Sequence, residues 1–293
     1  LVYDQSTTIA SLAGETAQDV AFPPVSLSPG SYLIEASSQL AGDLDAGNDV
    51  LTGALTVASA LSGAYTIGVG GSYPTLGGAM NTLAGVGVSG PVTFLLTDAT
   101  YPSESFPIEI RAYPGASATN TVTIRPAPGV TTTVTGGSPL GLIRLIGADH
   151  VTIDGSNVPG GTTIDLSFVT TAAGPAVVSL ESASSSDGAT YNQVMNCGVR
   201  GLGSTTGAGI LLGEIVASMP GEAPTGSRGA ITDRLVGPGE ERPLAVSPIR
   251  ASAPNSHNRI VHNVISGAQY GVRMLGAMIS GGPTWLPGDA GNE

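Results

Sequence analysis

Two short β-type motifs return along this chain at intervals in the low thirties, and that rhythm constrains its fold more than any other feature. The first is Leu142-Ile143-Arg144-Leu145, Val177-Val178-Ser179-Leu180, Gly209-Ile210-Leu211-Leu212 and Gly271-Val272-Arg273-Met274. Aligning Ile143, Val178, Ile210 and Val272 gives spacings of 35, 32 and 62 residues. The second runs His150–Asp154, Asn192–Cys197 and Asn258–Asn263, and its alignment puts Asp154, Cys197 and Asn263 at one position. A strand this short cannot bury an apolar face alone, so such units must stack and share one continuous core. That core is only a few side chains wide, which suits a chain with 43 Gly among 293 residues. Asn, Thr and Ser are then expected to stack in ladders at the bends, the pattern of a parallel β-helix.

The rest of the chain arranges itself around this repeat. Thr75 can cap a helix over about 74–84, in which Leu76, Ala79, Met80 and Leu83 share one face. The stretch Gly85-Val-Gly87-Val-Ser-Gly90 matches a dinucleotide fingerprint literally, but it follows a helix and precedes a strand, so it reads as a helix stop. Residues 1–60 read as four or five strands joined by hairpin turns. Residues 214–254 break the alternation. They are proline-rich and hold four of the ten arginines, so they read as a long loop extruded from the stack, which accounts for the doubled spacing. The expected domains are therefore 1–60 and 61–293.

Composition removes several functions. All ten basic residues are Arg, so a Walker A loop, a Schiff-base lysine and a kinase strand lysine are all excluded. A net charge of −12 argues against a nucleic-acid partner, since phosphate backbones are gripped by clustered cations. No apolar run reaches the roughly 18–20 residues of a membrane span, so membrane insertion is not expected. Cys197 is the only cysteine, which leaves no internal disulfide and no cysteine-based zinc site. It reads as a small buried apolar residue.

The segments "YPTLGGAMNTLAGVGVSGPVTFLLTDATY", "FPIEIRAYPGASATNTVTIRPAPGV", "GADHVTIDGSN" and "HNRIVHNVISGAQYGV" resemble right-handed parallel β-helix domains of the pectin-lyase-like superfold. They are most similar to versions in large secreted surface proteins of Bacteroidetes-type bacteria that use type IX secretion. The segments "SPGSYLIEA" and "GDLDAGNDVLTGALTV" resemble the closing strands of an immunoglobulin-like domain of such proteins. The resemblance implies an all-β chain: a right-handed parallel β-helix with a short N-terminal capping helix, preceded by an incomplete immunoglobulin-like β-sandwich. It also implies a section of a longer extracellular or cell-surface protein.

Candidate sites are few. Glycosidases of the resembled fold use two or three aspartates together with Gly-His-Gly and Arg-x-Lys motifs, and neither motif is present. Asp149, Asp154 and Asp165 read as turn and ladder residues. Lyases of that fold use an Arg or Lys base, often with calcium. Arg144 and Arg273 occupy equivalent outward positions, so they are candidate carbohydrate contacts, with solvated surface charge as the plainer reading. Trp285, in a loop near the C-terminus, is a third candidate contact or a cover over the core. The loop bearing Asp43, Asp45, Asn48 and Asp49 has the carboxylate density of a calcium site but misses the EF-hand spacing, so a hairpin turn is the favoured reading. His150, His257 and His262 lie on ladder segments and suggest no metal. No other cofactor is implied.

The expected function is that of a non-enzymatic structural or adhesive surface protein, as a subunit or segment of a surface fibre. Its expected partners are a glycan or surface ligand, or further copies or segments of the same protein. The alternative is a polysaccharide lyase or glycoside hydrolase on the same scaffold.

Overall fold

The computed structural model describes residues 2–14, 16–40, 42, 45–218, 245–249, 253 and 255–275. The chain divides into two compact units, Leu1–Ser59 and Ala60–Glu293.

In the first unit, β1 (Gly30–Ser37) pairs antiparallel with β2 (Val50–Val57). The register alternates an apolar face, bearing Tyr32 with Leu55 and Ala36 with Leu51, with a more polar one. Between the strands, the Asp45 carboxylate accepts the Gly47 N–H and caps a 3-10 turn over Ala46–Asn48.

The second unit begins with β3 (Leu61–Ile67), α1 (Leu76–Val86) and β4 (Val88–Leu96). The helix forms where the sequence predicts it. Thr75 Oγ1 accepts the Gly78 N–H, the face of Leu76, Ala79, Met80 and Leu83 is buried, and Gly87 ends it at φ 66°. The following strands are β5 (Ile108–Arg111), β6 (Val122–Pro126), β7 (Thr132–Gly136), β8 (Ile143–Ile146), β9 (Val151–Asp154) and β10 (Leu166–Thr170). Then come β11 (Gly174–Glu181), β12 (Gln193–Met195), β13 (Cys197–Arg200), β14 (Thr206–Leu212), β15 (Glu214–Ser218) and β16 (Ala245–Ile249). The last are β17 (Arg259–Val261), β18 (Val264–Ser266) and β19 (Tyr270–Met274).

Three parallel sheets organise these strands. The first is ordered β3-β4-β6-β9-β12-β17, the second β7-β10-β13-β18 and the third β5-β8-β11-β14-β19. From β6 onward the chain visits first, second and third sheet in turn, and β15 pairs antiparallel with β16 before the last visit. Ile143, Val178, Ile210 and Val272 are direct neighbours on four adjacent strands of the third sheet, which is the alignment of the first repeat.

The expected fold class is corrected. An all-β right-handed parallel β-helix behind an immunoglobulin-like sandwich does not describe this mixture of three parallel sheets, two antiparallel pairs and a helix packed against β3 and β5. No second sheet faces β1 and β2 among the described residues. The reason lies before Gly30, where Pro23 and Pro24 remove ladder donors and Val20, Phe22 and Val25 stay exposed. The reading of 214–254 as a loop is also corrected at its ends, which form the β15–β16 ribbon. Residues 219–244 lie outside the described residues.

The second repeat keeps its expected alignment of Cys197 with Asn263, the residues just before the paired Gly198 and Val264, and is shifted at Asp154. Val194 faces Ile153 and Ile260, so Asp154 faces Met195, not Cys197. A bend of one conformation precedes each of these strands. His150, Tyr191 and His257 all sit at left-handed φ of 57–58°, and their rings stack at 5.0 and 4.6 Å.

One apolar cluster joins the three sheets, with Ile124, Ile153 and Val194 from the first, Val134, Phe168 and Val199 from the second, and Leu145, Leu180 and Leu212 from the third. Each such side chain contributes about 1.5–3 kcal/mol on burial. At the bends, asparagines carry the ladder where the backbone turns away. Asn192 Oδ1 accepts the Val151 N–H at 2.9 Å while its Nδ2 donates to Ala148 O at 2.7 Å. Asn258 repeats this on Asn192 N–H and Ala189 O, and Asn263 on Cys197 N–H and Val194 O. Gly155 marks the tightest approach, because a Cβ there would lie 1.7 Å from Asn196 O.

Replacing Asn192 by Leu keeps the forked outline of the side chain and strands two buried backbone groups, Val151 N–H and Ala148 O. It is expected to lower the unfolding free energy by about 2–4 kcal/mol in urea titration, against roughly 0.5 kcal/mol or less for the exposed Ser186→Ala. Glu104 generates a pH prediction. Burial raises its pKa, opposed by the Gly77 and Leu76 N–H groups at the start of α1. A carboxyl raised above its unfolded value contributes stability below that value and loses it as pH rises through the folded one. The stability of the wild type relative to Glu104→Gln is therefore expected to fall as pH rises through the acidic range, measured by urea titration at a series of pH values.

Candidate functional site

The outward positions of the third sheet align Glu109, Arg144, Ser179, Leu211 and Arg273 on adjacent strands. Both arginines of the expected carbohydrate contact are therefore in one column, but they do not converge. Three strand spacings separate them, roughly 14 Å.

Arg144 is a structural residue. Its side chain is 11% exposed, and its Nε and one terminal nitrogen bind both oxygens of Glu181 at 2.8 and 2.7 Å. The other terminal nitrogen binds Glu109 at 3.0 Å. Burial works against its charge, and the two carboxylates outweigh burial and hold its pKa above the usual value. Glu181 also accepts the Ser179 hydroxyl at 2.5 Å and the Ile215 N–H at 2.9 Å, so the ion pair anchors β15. Arg273 lies with its guanidinium carbon 5.3 Å from the centre of the Tyr270 ring. Trp285 lies outside the described residues.

The expected calcium ligands are also placed in part. Asp43 lies outside the described residues. Asp45 caps the 3-10 turn that contains Asn48, and Asp49 Oδ1 accepts the Ser38 hydroxyl at 3.3 Å. Among the described residues no three of His, Cys, Asp and Glu gather as a metal site.

The aspartates of the middle layers are bound into the scaffold. Asp149 accepts the N–H and hydroxyl of Thr190, Asp154 accepts Ser156 N–H and Asn196 Nδ2, and Asp165 accepts Asn157 N–H. Cys197 is fully buried beneath the second sheet, and burial raises its thiol pKa far above the ordinary value. Such a thiol is not a nucleophile.

A different residue stands in a cleft. Where β10, β13 and β18 end, residues 169–171, 200–203 and 266–267 enclose about 660 Å³ of open space. Arg200 is the central side chain, its Cα facing Val169 on one side and Ser266 on the other. It is exposed and makes no ion pair or hydrogen bond through its side chain with a described residue. The floor is bare backbone, because a Cβ at Gly201 would lie 2.0 Å from Gly267 O. Leu202 projects beside it, 49% exposed. Sequence reasoning passed over this arginine. The signal was a cation closing a strand directly before Gly201-Leu202-Gly203.

Comparison with protein-family models, with curated proteins and with solved structures finds no match for this chain.

Replacing Arg144 by Met leaves Glu181 buried without its cation, and about 3–5 kcal/mol of stability is expected to be lost. The double variant Arg144→Met with Glu181→Leu is expected to recover most of that in guanidinium titrations, which identifies the pair as structural.

Proposed function

We propose that this protein is a non-enzymatic structural or adhesive scaffold of the cell exterior, a subunit or segment of a surface fibre, whose turns meet a glycan or surface ligand or further copies of the same protein. The observation that carries this reading is the fate of its buried ionisable groups. Glu181 takes two Arg144 bonds, the Ser179 hydroxyl and the Ile215 N–H, an arrangement that ties β8 and β11 to β15. A glycosidase needs one carboxyl that keeps its proton and a second facing the same bond. The aspartates of the middle layers are instead engaged by backbone and side-chain donors.

Other features support the setting. Lysine is absent, the single thiol is buried, and the sequence motifs resemble those of secreted bacterial surface proteins. Among the described residues no helix is long and apolar enough to cross a membrane. The lyase or hydrolase alternative gains no support from Arg144, whose guanidinium is engaged on three sides by Glu181 and Glu109.

Incubation with a panel of plant, algal and bacterial polysaccharides is expected to release neither reducing ends nor unsaturated uronate product. Release of either, abolished by a point substitution in this chain, would overturn the reading.

A further inference from the structure

We infer that the β19 edge of one molecule is completed by β1 of a second copy, with Glu35 of one molecule facing Arg273 of the other. This rests on the reading of the protein as a scaffold that meets further copies of itself, and it names the two strands that meet.

The third sheet ends at β19, and that strand has no further neighbour among the described residues. Val272 lies beside the fully buried Ile210 yet is 39% exposed, and Met274 lies beside the buried Leu212 yet is 47% exposed. The core column therefore runs on to an uncovered strand, whose unpaired backbone and apolar side chains form a template for another strand. The opposite edge of the same sheet is covered, because α1 packs against β5. Charge sets what β19 accepts. Residues 255–275 contain no Asp or Glu, and Arg273 stands between Val272 and Met274 with its guanidinium over Tyr270. It makes no ion pair among the described residues. Two β19 edges set against each other would oppose Arg273 to its own copy, so the complementary surface is a different one.

The interior of the sheet shows which strand fits. On β5, Ile108-Glu109-Ile110 lies beside Ile143-Arg144-Leu145 of β8, with Glu109 bound to Arg144 at 3.0 Å and the flanking apolar residues buried. A strand that reads apolar, acid, apolar therefore matches Val272-Arg273-Met274. Among the described strands that pattern occurs on β5 and on β1, where it is Ile34-Glu35-Ala36. β5 already lies between β8 and α1. β1 is paired on one edge, with β2, and its Ile34 is 49% exposed. Glu35 is exposed and makes no ion pair among the described residues. The surroundings match in charge as well, since residues 1–59 hold seven Asp and Glu and no Arg, Lys or His. The acid is the centre of the triplet, so the match holds whether β1 adds parallel or antiparallel. Because β1 and β19 are different surfaces, the contact is heterologous and passes from copy to copy.

The test is sedimentation velocity of the whole chain over a concentration series, with single and paired charge reversals. The wild type is expected to form species larger than a dimer, and to do so less readily as salt is raised. Arg273→Glu and Glu35→Arg are each expected to weaken association at least about tenfold, because like charges then face each other. Asp19→Arg, the same change of charge off β1, is expected to leave association unchanged. Mixing the two single variants, or combining both changes in one chain, is expected to restore association, which also shows that each variant folds. A wild type that stays monomeric would mean that another part of the chain covers β19 and would overturn the inference. So would a discrete dimer indifferent to Glu35→Arg, an equal loss in Asp19→Arg, or reversals that neither mixing nor combination rescues. The same samples are assayed for polysaccharide cleavage. Cleavage with charge-dependent association removes the non-enzymatic reading alone, and a monomer without cleavage removes this contact alone.

Discussion

The structure depends on hydrogen bonds that keep their direction through a bend. In a flat parallel sheet, backbone N–H and C=O groups pair strand to strand without help. Where the chain turns from one sheet to the next, that pairing lapses, and each lost bond in a dry interior is expensive. Asn192, Asn258 and Asn263 solve this with a side-chain amide that carries one donor and one acceptor, so it replaces a missing peptide group on the neighbouring strand. Once those bonds fix the register, apolar residues such as Ile153, Val194 and Ile260 fall above one another. The narrow core then follows.

The ionic column on the third sheet plays a different part. Arg144 sits between carboxylates from two adjacent strands, and Glu181 reaches beyond the sheet to the backbone of β15. A sheet face that reads as solvated from its sequence is thereby covered, with Leu211 and Ile215 packed together on it. The polar groups that look most like chemistry are engaged in joining the ribbon to the stack. Among the described residues, Arg200 at the end of β13 has no such carboxylate partner.

How much of this was legible depended on the range of the interactions involved. The helix over Leu76–Val86 was legible because its cap, its apolar face and its stop are all local. So was the register of Ile143, Val178, Ile210 and Val272, because apolar alternation is written into each motif. The second repeat was misread only at Asp154, by two residues, while Cys197 and Asn263 keep their expected alignment; the ring stack of His150, Tyr191 and His257 ahead of the strands leaves no mark in a single strand. The sandwich expected for residues 1–60 needed partner strands that hairpin chemistry alone does not supply. Arg144 looked free because Glu109 and Glu181 lie 35 and 37 residues away in sequence. Arg200 was overlooked for the converse reason, because nothing within its own segment distinguishes it.

The ordering of outward and inward positions bears on how such a surface changes over generations. Val169, Arg200 and Ser266 occupy one outward column on successive strands, while their neighbours Phe168, Val199 and Ile265 point into the core. Mutation can therefore rewrite the column one strand at a time while packing is conserved beneath it. A chain built this way separates the inheritance of its fold from the inheritance of its specificity, and variation among descendants should collect on the column and spare the row beside it.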